Sequence, residues 1–381
     1  MILKVLYISH YAGLGGAQKS LLAMIDYLRP MGVEPFVLIP CHGPVEEHFR
    51  RLNIPYEVVR FTSMRKPSQG KCRDRVEGFL RKKINYLTAY KISRKYKGQF
   101  DLIHANSSLA FFGCYLKQRL QIPLVWHLRE FGDVDYPLSF IGGNEYSKCC
   151  YENADALIAI SKTIQSHYSK TIAPNGRYRL IYNGVDEAVI PSKKMTDKSE
   201  RPLRLCIVGG VTKGKNHRDL IEAVALMPKG SVEVDIIGSG DDTLQEELTI
   251  LAEKLGVSDI IRFCGQDNDI CAKLSKYDVG LVTSINEAFG RIIIEYMLAG
   301  LVVVASNAGA CPELIDDGLN GLLYELGNPS SLANCLTRLV NDHELLERLG
   351  KAGHAKAMSQ FTAKNNATEV YNLYKELTSD K

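Results

Sequence analysis

The chain has no run of about 18 apolar residues, the least that carries a helix across a bilayer, so no transmembrane helix is expected. Its opening, MILKVLYISH, is too short and strand-like for a secretory signal, and none is expected. No C-x-x-C pair occurs among the ten cysteines, and Cys149 and Cys150 are adjacent, so they are not expected to bridge each other. Free thiols in a reducing compartment are the expectation, with Cys206, Cys264 and Cys335 in apolar surroundings. Charge of one sign is scarce. Lys and Arg number 47 against 43 Asp and Glu, a net +4, which gives no reason to expect nucleic acid as a partner. G-x-G-x-x-G is missing, so a dinucleotide reading lacks its fingerprint. Asp133-Val134-Asp135 formally matches a D-x-D metal motif, but such a match in a loop is weak by itself, and no metal is expected.

What is present is alternation. A length of 381 residues suggests two domains, and apolar strands alternate with amphipathic helices in both halves. Ile2–Ser9 reads as a buried strand, His10–Gly16 as a loop, and Ala17–Arg29 as a helix with Leu21, Leu22, Ile25 and Leu28 on one face. Gly13, Gly15 and Gly16 let the backbone approach a phosphate or sugar closely. Asp101–Ala105 and Pro123–His127 read as strands whose ends would bring His104 and His127 to the ligand edge of a parallel sheet. Phe131–Gly143 reads as a lid-like loop, and Glu187–Arg201 as a polar linker. A second α/β unit opens with strand Leu203–Val208, a glycine-rich loop to Gly214, and a helix Lys215–Met227. Lys215 at that helix start is placed to meet a diphosphate.

The segment Arg60–Lys97 differs in character: it is strongly basic, with only Asp74 and Glu77 as acids. Val76, Phe79, Leu80, Ile84, Leu87 and Ile92 recur at helical spacing. It reads either as a solvated helix with a core-facing stripe, or as an interface for anionic headgroups or a polyprenyl-phosphate carrier.

The most informative stretch is Thr283–Gly321. Glu287 follows the strand Val279–Val282; Arg291–Ala299 reads as a helix, and Leu301–Ala305 as a doubly buried parallel strand. Glu287 and Glu295 are eight apart, so both carboxylates can face one ligand at different depths. The amides of Phe289 and Gly290 fall at the helix N-terminus, which suits hydroxyl or phosphate oxygens.

The pair Glu287/Glu295, with Phe289-Gly290, Ala299-Gly300, Val303–Ser306, Gly309 to Glu313 and Gly318 to Gly321, resembles the retaining glycosyltransferases of family 4. The resemblance implies a GT-B fold: two Rossmann-like parallel-sheet domains facing a central cleft, with a C-terminal helix crossing back to the first. Domains are expected at 1–186 and 203–360, with a linker at 187–202 and the returning helix at 361–381. The resemblance further implies a metal-independent glycosyltransferase without cofactor. It would move sugar from a nucleotide-diphosphate sugar to a hydroxyl of a glycan or lipid-linked acceptor, in envelope or capsule synthesis. Glu287 and His127 are then the catalytic candidates, and Gly15, Gly16, Lys215, Glu287, Phe289, Gly290 and Glu295 the donor-binding ones. The expected location is cytoplasmic, peripheral on the membrane through Arg60–Lys97. Where the family carries an arginine this chain has Gly210, with Lys213 or Arg291 as candidate substitutes. Because fold does not fix chemistry, a nucleotide-sugar epimerase, a phosphorylase and a non-catalytic binder remain alternatives at this stage.

Overall fold

The computed structural model describes residues 2–63, 65–67, 73–132, 138–140, 143–191, 201–267 and 269–379. It divides into two compact units, Met1–Gly184 with Ala363–Lys381, and Val185–Thr362.

The strands of the first unit are β1 (Leu3–Ile8), β2 (Val33–Ile39), β3 (Tyr56–Val58), β4 (Arg65–Pro67), β5 (Leu102–Asn106), β6 (Leu124–Leu128), β7 (Leu138–Phe140), β8 (Ala156–Ala159) and β9 (Tyr178–Leu180). Seven form one parallel sheet in the order β3-β2-β1-β5-β6-β8-β9, and β4 pairs with β7 as an antiparallel ribbon. β5, β6 and β8 are buried at every position. Helices therefore cover both faces, and the sequence of these strands is mostly apolar, with His104, Asn106 and His127 as buried polar exceptions. The last helix, Ala363–Thr378, belongs to this unit and packs on the helix Gly16–Leu28, with Ala367, Val370, Leu373 and Tyr374 in the core.

The second unit holds β10 (Leu203–Val208), β11 (Val232–Ile237), β12 (Ile261–Gly265), β13 (Val279–Val282), β14 (Val302–Ser306) and β15 (Leu322–Tyr324). Their order is β12-β11-β10-β13-β14-β15, all parallel. This is the Rossmann order, in which chain direction across the sheet reverses between the first and fourth strands. In both units the expected parallel sheet is present, and so is the returning C-terminal helix.

Several local expectations are corrected. The helix expected over Lys215–Met227 is a 3-10 turn, Lys213–Lys215, followed by a helix over His217–Val224. Asn216 between them takes φ 47°, which breaks the helical run. Cys264 is exposed rather than buried, because β12 is an edge strand. The basic segment forms a long helix, Arg73–Lys95, yet its apolar stripe is not all inside: Ile92 is buried, while Phe79, Leu80 and Leu87 are exposed. Of the expected lid, residues 133–137 and 141–142 lie outside the described residues, and with them the Asp133-Val134-Asp135 motif; so do residues 192–200 of the linker.

Candidate functional site

The topology of the second unit selects one place. Ligands of open α/β sheets bind beyond the carboxyl ends of the strands where the order reverses, here between β10 and β13. The loop after β10 carries Lys215, and the loop after β13 carries Thr283, Ser284 and Glu287.

These residues form one hydrogen-bonded cluster. Lys215 Nζ donates to Glu287 Oε2 at 2.8 Å, and Ser284 Oγ–H donates to the same oxygen at 3.0 Å. The Thr283 hydroxyl donates to the Lys215 carbonyl at 2.6 Å, and the Ile285 amide to the Gly214 carbonyl at 2.9 Å, so the two loops are stitched together. From β14, the Ser306 hydroxyl donates to the Ser284 carbonyl at 2.7 Å. The Lys215 side chain remains one-third exposed, so the pair is held in place yet reachable from solvent.

Glycines make this geometry possible. Gly309 has φ 56°, and a Cβ there would sit 2.3 Å from the Glu287 backbone nitrogen. Close packing of that turn lets the Ala310 amide donate to the Glu287 carbonyl at 2.8 Å. Gly290 caps the helix Arg291–Leu298 with φ 85°, a conformation that favours glycine. Phe289 before it is buried against Phe361.

Glu295 is nearly buried, and Arg291 Nε donates to its Oε1 at 2.8 Å. Arg291 is thereby committed to Glu295, which argues against it as a substitute for the missing arginine; Lys213 is exposed. Gly210 is close-packed: a Cβ there would meet the Ser239 carbonyl oxygen at 3.3 Å, and that carbonyl would have to shift slightly.

His217 was not singled out in the sequence. Two residues past Lys215, its ring is buried, and neither nitrogen has a hydrogen-bond partner among the described residues. Burial first, and Lys215 second, lower its pKa to about 4, so the ring is neutral at neutral pH. Its signal was only its place beside a candidate lysine.

In the first unit, Gly15 begins the helix Gly16–Leu28, and Gly16 has open space where a side chain would stand. His104 is not at the sheet edge: it is fully buried in mid-strand, its Nδ1 2.6 Å from the Tyr374 hydroxyl of the returning helix. His104 Nε2 lies 3.2 Å from His127 Nδ1, which Arg129 Nη2 also approaches at 3.2 Å. A guanidinium can only donate, so His127 Nδ1 accepts and the His127 proton is on Nε2. The Tyr374 hydroxyl beside His104 Nδ1 also donates to the Tyr7 hydroxyl at 3.3 Å. Burial, with the Arg129 charge second, holds both rings well below the usual histidine pKa and therefore neutral. His127 Nε2–H is buried without a partner among the described residues. It is thus a hydrogen-bond donor and not a free base. Arg129 is oriented by Asn106 and Asn183.

Comparison with known proteins places this geometry. Residues 14–189 match the family model Glycosyltransferase Family 4, and residues 191–356 match Glycosyl transferases group 1. N-acetyl-alpha-D-glucosaminyl L-malate synthase of Bacillus anthracis is 24% identical over 236 residues, 60% of this chain and 61% of that protein. D-inositol 3-phosphate glycosyltransferase of Corynebacterium glutamicum is 24% identical over 391 residues, 94% of this chain and 91% of that protein. Anabaena HepE, solved in complex with UDP, superposes with a TM-score of 0.83 at 24% identity, covering 98% of this chain and 100% of that one. The chain is a glycosyltransferase of the GT-B type and resembles family 4.

Proposed function

We propose that the protein moves a sugar from a nucleoside-diphosphate sugar to a hydroxyl of a glycan or lipid-linked acceptor, with retention at the anomeric carbon. The observation that carries this reading is the Lys215–Glu287 pair, a cation and an anion fixed together where the second sheet reverses order. Solved relatives of the same fold hold UDP and UDP-glucose, which favours a uridine diphosphate donor.

The chemistry needs a stabilised leaving group, a held sugar and a placed acceptor. As the bond from the anomeric carbon to the diphosphate oxygen breaks, negative charge grows on the diphosphate, and Lys215 meets it. The sugar becomes cation-like, as in glycoside hydrolysis, and Glu287 opposes that charge while the Phe289 and Gly290 amides hold hydroxyls. The acceptor oxygen attacks the same face, and its proton passes to the departing phosphate oxygen. Glu295 binds the ribose. Gly15, Gly16 and His127 of the first unit contribute substrate contacts, His127 as a donor through Nε2–H. The reading assigns no metal.

The acceptor is proposed to belong to an envelope or capsule polysaccharide, and the enzyme to work at the cytoplasmic membrane face, drawn by the basic helix Arg73–Lys95. The test is release of nucleoside diphosphate from a panel of nucleotide sugars, with lipid-linked and free glycan acceptors, and anomeric proton NMR of any product. Acceptor-dependent release with a retained linkage is the expected result. An inverted product would end the stereochemical claim, and no release from any pairing would end the reading.

A further inference from the structure

Five large apolar side chains that stand exposed lie on one helix, Arg73–Lys95: Phe79, Leu80, Tyr86, Leu87 and Tyr90. Phe79 is 67% exposed. A water-facing helix rarely carries this much apolar surface without something to cover it. Beneath it the helix walls a cavity of about 590 Å³, with Phe112–Leu120 and Gly143–Glu152 as the other walls. Its lining is mostly apolar: Phe79 and Leu87 from the first helix, Tyr115 from the second, Tyr146 from the third. Lys82 and Lys83 stand at the same cavity, Lys82 with its ammonium 4.0 Å from the centre of the Tyr146 ring.

We propose that this cavity takes the hydrocarbon chain of an anionic membrane lipid, with the lipid's negative group held by Lys82 and Lys83. The volume falls within the range of small-ligand pockets, and the lining excludes a strongly polar occupant. The positive rim selects an anion, and the exposed apolar side chains around the mouth suit the acyl boundary of a bilayer. A second copy of this chain fits poorly, because it would bring two basic helices together. The site involves none of the donor residues, so it is separable from the transferase reading.

The probe is cis-parinaric acid, an anionic fatty acid whose fluorescence rises in an apolar cavity; its uncharged methyl ester is the control. Titration of the full chain, without nucleotide sugar, should give saturable binding of the acid and weaker binding of the ester. Gln118→Trp, at an exposed lining position, should weaken the acid by at least about tenfold with an unchanged melting temperature. Lys83→Glu should weaken the acid and leave the ester alone. Cys149 lines the cavity and is exposed, so its alkylation by N-ethylmaleimide, read by peptide mass spectrometry, should slow several-fold with the probe bound. Non-saturating uptake, equal binding of acid and ester, undiminished affinity in a folded Gln118→Trp chain, or alkylation of Cys149 in the parent chain at the same rate with and without the probe would each overturn the proposal.

Discussion

At the residue scale, Lys215 and Glu287 are coupled opponents. An incoming diphosphate competes with the Glu287 carboxylate for the Lys215 ammonium, at the 2.8 Å separation seen here. Glu287→Gln removes that competitor and also the charge that opposes the cationic sugar. UDP should therefore bind several-fold tighter by calorimetry while turnover falls by about 100-fold or more. Glu295→Ala should act the other way, raising KM for the donor by about tenfold with a smaller effect on kcat. Wild-type kinetics in both variants would remove these residues from the site. Gly210 offers a gain-of-function test. Its backbone is outside the left-handed region and its Cβ would need the Ser239 carbonyl to give only slightly. Gly210→Arg should add a second cation near Lys215, so UDP should bind more tightly, and the gain should shrink as salt screens it.

At the scale of elements, the site is a set of turns braced by close packing. Gly280 in mid-β13 leaves room for Tyr296, whose ring would lie 2.2 Å from an added Cβ. In return the Val208 amide at the end of β10 donates to the Tyr296 hydroxyl at 2.8 Å. Gly309 does the same for the Glu287 turn. Gly309→Ala should cost about 1–3 kcal/mol of stability by forced repacking, and should weaken donor binding more than a distant change of equal cost. A lowered melting temperature with unchanged UDP affinity would separate the brace from the site. Much of this stretch was legible, because β14 is a continuous β-branched run and Gly300 stops the helix before it. The register at Lys215 was not. The apolar positions Leu220, Ile221 and Val224 fit a helix from Lys215 as well as one from His217, and the left-handed Asn216 that decides between them carries no pattern. The role of His104 was equally hidden, since its partner Tyr374 lies 270 residues away in sequence. Tyr374→Phe should release the His104 tautomer, visible as changed nitrogen shifts of that ring by NMR, while His127, held by Arg129, keeps its own and both histidines stay neutral.

At the scale of the whole chain, strand–helix alternation made both parallel sheets readable, because doubly buried strands are apolar at most positions. Burial of the histidines was not readable, because it depends on which side of a sheet a later helix covers. That burial has a global consequence. His217 in the second unit and His10 in the first have pKa values lowered by burial to about 4, from an ordinary 6.5, and His104 and His127 are lowered well below that ordinary value. Unfolded histidines bind protons once pH falls below about 6.5, while the folded ones stay neutral until much lower. The unfolded state thus binds more protons in this window, and stability falls as pH falls from about 6.5 toward 4. The His217 shift alone corresponds to about 3 kcal/mol when fully developed. Thermal melts, each variant matched to its parent, should show both units losing stability between about pH 7 and about pH 5. His217→Leu replaces the neutral ring with a side chain that cannot titrate, and should flatten the acid dependence of the second unit while leaving that of the first. An acid dependence identical to the parent's would mean that His217 is not held neutral in the folded chain.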